Sequence, residues 1–116
     1  MKILVCGSRD YNNYEKIFLV IEKYMTDDLT IISGGATGAD SIAKEICTEY
    51  DIKYIEYVAE WSKYGKRAGP IRNSRMLKEN PDLVLAFSSR SELTIGTRDT
   101  VEKAKRLGIK IKIFTA

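Results

Sequence analysis

Short apolar runs alternate with amphipathic segments along this chain, and this alternation constrains the fold more than any other feature. The first run, residues 3–6, is wholly apolar and ends at Gly7, which is typical of a strand buried on both faces of a parallel sheet. In residues 14–25 the apolar side chains recur at helical spacing, so one stripe faces the sheet and the charged side chains face water. The pattern predicts a strand followed by a crossover helix.

The same order of strand and helix repeats to the end of the chain. The further predicted strands are residues 29–33, 53–58, 82–87 and 109–114. The further predicted helices are residues 39–50, 71–79 and 100–107, with an irregular segment over 59–70 and a polar loop over 88–97. Because crossovers between parallel strands are right-handed, we predict an α/β fold: a Rossmann-like three-layer α/β/α sandwich of about five mainly parallel strands in the order 3-2-1-4-5.

A length of 116 residues suits one domain, spanning residues 1–116, and leaves no room for a second. In sheets of this order, ligands bind at the carboxyl ends of the strands, where the strand order reverses. We therefore expect the turns after strands one, two and four to meet at one site.

Composition excludes several classes of chemistry. The chain has no histidine, which excludes imidazole general-base catalysis and most zinc sites. Cys6 and Cys47 occupy apolar positions and are interpreted as buried thiols in a reducing compartment. We predict no metal and no cofactor.

The net charge of +3 is too small to indicate a polyanion partner, so nucleic acid is not the expected ligand. The N-terminal apolar run is too short for a signal peptide or a membrane span. We expect a cytoplasmic protein without a membrane partner.

A glycine-rich loop follows the second predicted strand and precedes a helix. Its small residues leave backbone N–H groups free to converge on an anion, and the helix N-terminus adds a partial positive charge. The predicted phosphate-binding residues of this loop are Gly34, Gly35, Ala36, Thr37 and Gly38. Asp40 is placed to cap the helix or to bind a sugar hydroxyl. The alternative is that the glycines only make a tight turn.

The turn after the first strand, Gly7, Ser8 and Arg9, is the second predicted wall of the site. Arg9 is suited to hold a phosphate through two hydrogen bonds. Its alternative role is a surface ion pair with Asp10 or another nearby acid.

Arginines cluster again before and within the helix predicted over residues 71–79. Arg72 and Arg75, three residues apart, are expected to share one helix face and to neutralise a phosphate, and Asn73 to read a base or ribose edge. The alternative is a solvated basic helix start. For Trp61 and Tyr64 we favour packing in the core or at an interface over base stacking.

The last polar loop contains Ser88, Ser89, Gly96 and Thr97 ahead of a helix whose N-terminus can attract an anion. Asp99 is a candidate for acid chemistry on the ligand, or an N-terminal helix cap.

Taken together, residues 2–11, 32–40, 69–76 and 81–87, with Trp61 and Gly96-Thr97, closely resemble the YspA-like branch of the SLOG superfamily. That superfamily also contains the Lonely Guy phosphoribohydrolases and the DNA-processing protein A family. The resemblance implies a Rossmann-like fold that binds a nucleotide or a nucleotide-derived signal. It also implies roles for particular positions: pocket lining by Gly34, Gly35, Gly38 and Asp40, ligand contacts by Arg72 and Asn73, and a phosphate at Gly96-Thr97.

One departure bears on activity. Phosphoribohydrolases carry a Gly-Gly-x-Gly-Thr-x-x-Glu motif, whereas this chain lacks the paired glycines and has Thr100 where the acid is expected. Cleavage of an N-glycosidic bond needs a carboxylate, for which Asp40 or Asp99 would have to substitute.

The first hypothesis is therefore a sensor or sequestering module for a phosphate-bearing nucleotide. A nucleotide N-glycosidic hydrolase is the alternative. Single-stranded DNA binding, through the basic residues of segment 63–75, is third. A homo-oligomer is expected because small domains of this type often complete pockets across a symmetric dimer.

Overall fold

A computed structural model describes the whole chain, Met1–Ala116, as a parallel five-stranded sheet between two layers of helices. The strands are β1 (Lys2–Gly7), β2 (Thr30–Ser33), β3 (Lys53–Glu56), β4 (Leu83–Phe87) and β5 (Lys110–Phe114). The helices are α1 (Tyr14–Glu22), α2 (Ala39–Glu49), α3 (Trp61–Tyr64), α4 (Ala68–Leu77) and α5 (Ile95–Arg106), with a 3-10 turn at Gly65–Arg67. The strand order is β3-β2-β1-β4-β5, which confirms the predicted fold and order.

The core lies on both faces of the sheet. One cluster packs α1 and α2 against one face, with Ile3, Ile17 and Ile46 fully buried. The other packs α4 and α5 against the opposite face around Leu4, Val84 and Met76. No helix has the length and apolar character needed to cross a membrane; the longest, α5, has 12 residues.

Two segments differ from their sequence-based predictions. Residues 61–67 are helical rather than irregular, and α4 begins at Ala68 because Pro70 is tolerated in the first turn of a helix. The last helix begins at Ile95, five residues earlier than predicted. Its first turns are polar and contain Gly96, so they have weak helix propensity, but Thr97 and Thr100 are buried against the rest of the protein.

The turns after β1 and β2 are in close contact, and Gly38 makes this contact possible. The N–H of Ala39 donates to the carbonyl of Ser8 at 3.3 Å, and the Thr37 hydroxyl donates to the carbonyl of Arg9 at 3.2 Å. Gly38 has φ 77° and ψ −129°, a conformation available essentially only to glycine. A Cβ at this position would clash with the Ser8 carbonyl and lie 2.6 Å from the carbonyl carbon of Arg9.

We therefore expect Gly38→Ala to lower the free energy of unfolding by about 3 kcal/mol, through backbone strain and the clash together. The matched control is Gly108→Ala, because Gly108 also has a positive φ of 73° but open space around it. The control should lose only about 1 kcal/mol, from backbone strain alone. Urea unfolding of both variants measures the difference, and equal losses would contradict the close contact.

Candidate functional site

A cleft of about 630 Å³ lies at the carboxyl ends of β1 and β4. Its walls come from the turns after both strands, from the starts of α2 and α5, and from α3 and α4. A smaller cavity of about 260 Å³ shares Arg9, Ala36, Trp61 and Arg72 with it. The larger volume is in the range of small-molecule sites, and it lies where the strand order reverses.

Most of the predicted site residues come together here. Those lining the larger cleft are Gly7, Arg9, Ala36, Asp40, Arg72, Asn73, Gly96, Thr97 and Asp99. The smaller cavity adds Gly34, Gly35 and Thr37. Ser8, Gly38 and Arg75 line neither cavity.

Ser8 and Arg75 have structural contacts instead. Ser8 is buried, and its hydroxyl oxygen accepts the N–H of Ser89 at 3.0 Å, which ties the turn after β1 to the turn after β4. Arg75 forms an ion pair with Glu60 at 3.7 Å and lies beside the Tyr64 ring. Arg72 and Arg75 therefore do not face the same cavity, although both lie on α4.

The amides of the glycine-rich loop are partly occupied by the protein itself. Oδ2 of Asp40 accepts the N–H of Ala36 at 3.2 Å, so this carboxylate folds back onto the loop. Of the two alternatives predicted for Asp40, capping of α2 is wrong, because the N-cap is Gly38 and no side chain caps that helix; contact with a sugar hydroxyl stays a prediction. Gly34 has another purpose: a Cβ there would lie 2.7 Å from Cζ of Arg72, so only glycine lets the guanidinium approach.

Arg72 is anchored on one side and free on the other. Its Nη1 donates to the Gly34 carbonyl at 2.8 Å and its Nε donates to Oδ1 of Asn73 at 2.9 Å, whereas its Nη2 donates to no protein atom. Burial lowers the pKa of Arg72; the positive charge of Arg9 lowers it too, while Asp40 opposes the shift. Two guanidinium groups thus stand near each other, with no carboxylate within ion-pair distance of either.

Asp40 is a buried carboxyl group in the floor of the cleft. Its residue is only 6% exposed, and its Oδ1 has no hydrogen-bond partner. Burial raises the pKa of Asp40 from 3.8 to about 6, although the Ala36 N–H and the charge of Arg72 both act in the opposite direction. A buried carboxyl group with a perturbed pKa in a cleft is characteristic of functional sites.

This pKa predicts how stability depends on pH. The unfolded chain releases the Asp40 proton near pH 3.8 and the folded protein near pH 6, so stability falls as the pH rises between these values. Asp40→Asn should be about 2–3 kcal/mol more stable than the unmodified protein at pH 7.5 and similar to it at pH 4. Urea unfolding at both pH values measures this, with exposed Asp27→Asn as the control. A stability difference that does not change with pH would contradict the assignment.

The N-terminus of α5 opens into the larger cleft with free hydrogen-bond donors. Thr94 is the N-cap, but its side chain caps no amide, and the first turn has no acidic residue. The N–H groups of Ile95, Gly96 and Thr97 donate to no protein acceptor, and all three residues line the cleft. A helix N-terminus of this kind attracts anions through its dipole and its unpaired amides.

Asp99 and Asn73 fix α5 against α4. Asp99 lies inside α5, so the alternative that it caps the helix is wrong; the helix starts four residues earlier. Its Oδ2 accepts from Nδ2 of Asn73 at 3.1 Å and pairs with Lys103 at 2.9 Å. Asn73 also donates to the carbonyl of Gly96 at 3.2 Å, so its amide is already engaged by the protein.

Sequence reasoning left two cleft cations, Arg90 and Lys66, out of the predicted site and favoured packing over ligand contact for Trp61. Arg90 follows the end of β4 much as Arg9 follows the end of β1, and this shared pattern was the available signal. Lys66 also lines the cleft, but nothing in the sequence distinguished it from the other cations of its basic segment. Trp61 is 49% exposed and lines both cavities, so of its two predicted places, the core or an interface, the core is wrong, and the interface stays a prediction.

The cleft therefore collects four cations that form no ion pair, together with the carboxyl groups of Asp10, Asp40 and Asp99. None of its four cations, Arg9, Lys66, Arg72 and Arg90, has a carboxylate partner within 4.0 Å. The alternative ion pair between Arg9 and Asp10 is absent; Asp10 instead accepts a hydrogen bond of 2.7 Å from Ser89. That bond is the main reason why the pKa of Asp10 is lowered.

Comparison with known proteins agrees with this architecture. A family model described as the YspA, cpYpsA-related SLOG family matches residues 1–64, which include β1, the glycine-rich loop and Trp61. The chain is also 30% identical over 122 residues to the Gene 61 protein of Mycobacterium phage D29, in a match that covers 97% of this chain and 95% of the phage protein. The chain belongs to the YspA, cpYpsA-related SLOG family.

Proposed function

We propose that this protein binds a phosphate-bearing nucleotide, or a signal molecule derived from one, in the 630 Å³ cleft and acts as a sensor or sequestering module. The observation that carries the proposal is the set of unpaired cations beside the free amides at the start of α5. Family membership supports a nucleotide-related ligand.

The phosphate is assigned to the N-terminus of α5. Three amides there are unpaired, and Arg90 lines the same cleft without a carboxylate partner. The glycine-rich loop is the poorer phosphate site, because the Asp40 carboxylate already accepts one of its amides. Instead, Asp40 is suited to accept a hydrogen bond from a sugar hydroxyl through its unpartnered Oδ1.

Calorimetric titration with AMP, ADP, ADP-ribose and 3′,5′-cyclic AMP tests the proposal. We expect at least one of these nucleotides to bind, and we expect Arg90→Gln to weaken that binding about tenfold or more, as for the loss of a charged hydrogen bond. Arg106→Gln is the matched control, because Arg106 is exposed at the far end of α5. If no nucleotide binds the folded protein at millimolar concentration, the proposal fails.

A second candidate function is hydrolysis of a nucleotide N-glycosidic bond. The one observation that favours it is the buried Asp40 carboxyl group with its unpartnered oxygen. In that reaction water adds to C1′ of the sugar and the base departs, and a carboxylate stabilises the developing positive charge or activates the water. Asp40 has a free oxygen and a raised pKa, whereas Asp99 is held by Asn73 and Lys103. Asp40 is therefore the better candidate for the catalytic carboxylate.

Release of free adenine from AMP, followed by chromatography, tests this second function. We expect Asp40→Asn to abolish any release, while Asp99→Asn reduces it less. Unchanged release by the Asp40→Asn variant would remove Asp40 from the reaction, and no release by the unmodified protein would leave binding as the function.

A further inference from the structure

Trp61 is the only tryptophan of the chain, and core packing does not explain its position. It is 49% exposed and belongs to neither of the two core clusters. Its ring edge is seated against Gly69, where a Cβ would lie 3.4 Å from Cη2. A large apolar side chain is therefore held at the rim of a cleft with much of its surface open to solvent.

Arg9 lies over the Trp61 ring, with its Cζ 5.6 Å from the ring centroid. Arg9 has no carboxylate partner within 4.0 Å, and its guanidinium makes a cation–π contact with the Trp61 ring. Indole and guanidinium are both planar groups on which nucleobases stack. The Trp61 indole and the Arg9 guanidinium are therefore both available as stacking partners for a base.

The Arg9–Trp61 pair lies where the two cavities adjoin. Arg9 and Trp61 line both, and the smaller cavity adds an apolar wall from Val58 and Ala59. The start of α5, where we assign the phosphate, lines the larger cleft together with the same pair. A nucleotide has a planar base suited to the Arg9–Trp61 pair and a phosphate suited to the start of α5.

We propose that Trp61 and Arg9 form the stacking surface for the base of the bound nucleotide, with its phosphate at the start of α5. This inference rests on the proposed function and deepens it, because it predicts that the protein recognises the base as well as the phosphate. The ligand is then a nucleotide with an intact base rather than a sugar phosphate.

Because the chain has a single tryptophan, its fluorescence reports directly on this surface. We expect AMP and ADP-ribose to quench Trp61 fluorescence on binding and to bind at least about tenfold more tightly than ribose 5-phosphate, which lacks a base. In calorimetry, Trp61→Leu should remove that preference and Trp61→Phe should keep part of it. Tyr50→Leu is the control, because it alters an exposed aromatic ring outside both cavities and should leave the preference unchanged.

The possible results distinguish failure of the stacking surface from failure of the proposed nucleotide-binding function. If ribose 5-phosphate binds as tightly as AMP and ADP-ribose, or if these two bind without quenching, the stacking surface is refuted while phosphate binding stands. If none of AMP, ADP, ADP-ribose, 3′,5′-cyclic AMP and ribose 5-phosphate binds the folded protein, both the proposed function and the stacking surface are refuted.

Discussion

Replacing Arg72 with glutamine is expected to lower nucleotide affinity about a hundredfold, as for the loss of a largely buried charge that contacts the ligand. The guanidinium is held toward the cleft by the Gly34 carbonyl and Asn73, and its free Nη2 is available to the ligand. Calorimetry with the tightest-binding nucleotide of the panel measures the effect, and circular dichroism verifies the fold.

Arg75→Gln is the matched control for Arg72→Gln. Both arginines lie on α4, but Arg75 pairs with Glu60 and lines neither cavity. The control variant should therefore bind like the unmodified protein. Equal losses in the two variants would show that general positive charge, rather than the position of Arg72, determines affinity.

Gly34→Ala tests independently whether nucleotide affinity depends on the position of Arg72. The substitution keeps Arg72, but the added Cβ would overlap the guanidinium and force it out of its position over the loop. Gly34 has no positive φ, so alanine imposes no strain of the kind expected at Gly38. We expect affinity to fall toward that of Arg72→Gln, with a smaller loss of stability than in Gly38→Ala.

Thr94→Asp should change stability and affinity in opposite directions. An aspartate at the N-cap of α5 can accept the unpaired amides and complement the helix dipole, so the protein should gain about 0.5–1 kcal/mol of stability. The same carboxylate would occupy the proposed phosphate site and repel the ligand, which should lower affinity about a hundredfold. Thermal unfolding and calorimetry on one sample measure both effects.

Thr94→Asn distinguishes the effect of the added negative charge in Thr94→Asp from the effect of helix capping. Asparagine caps helices about as well as aspartate but carries no negative charge, so it should stabilise the protein while costing less affinity than Thr94→Asp. If Thr94→Asp binds nucleotides as well as the unmodified protein, the phosphate does not bind at the start of α5.

The fold was predictable because its signals are periodic. Apolar runs such as residues 3–6 and 82–87 indicate buried parallel strands, and their spacing with helices leaves few possible orders. Helix starts were less predictable. The first turns of α5 contain Gly96, Thr97 and Asp99, whose propensities favour a loop, whereas Thr97 and Thr100 are buried against the fold, a tertiary contact that the local sequence does not encode.

The site was predictable in its location but not in its internal contacts. The turns after β1, β2 and β4 do meet at one cleft, as the strand order requires. The return of the Asp40 carboxylate to the Ala36 amide depends on loop geometry that no spacing rule encodes. The same applies to the exposed position of Trp61, which depends on a one-turn helix crossing the rim of the cleft.

The central claim is that a phosphate binds at the open N-terminus of α5. The most direct measurement is an NMR titration of the ¹⁵N-labelled protein with AMP, following every backbone amide. We expect the N–H signals of Ile95, Gly96 and Thr97 to shift most, because these amides donate to no protein acceptor and would donate to the phosphate. Saturable shifts confined to residues outside the cleft, with these three amides unmoved, would contradict it.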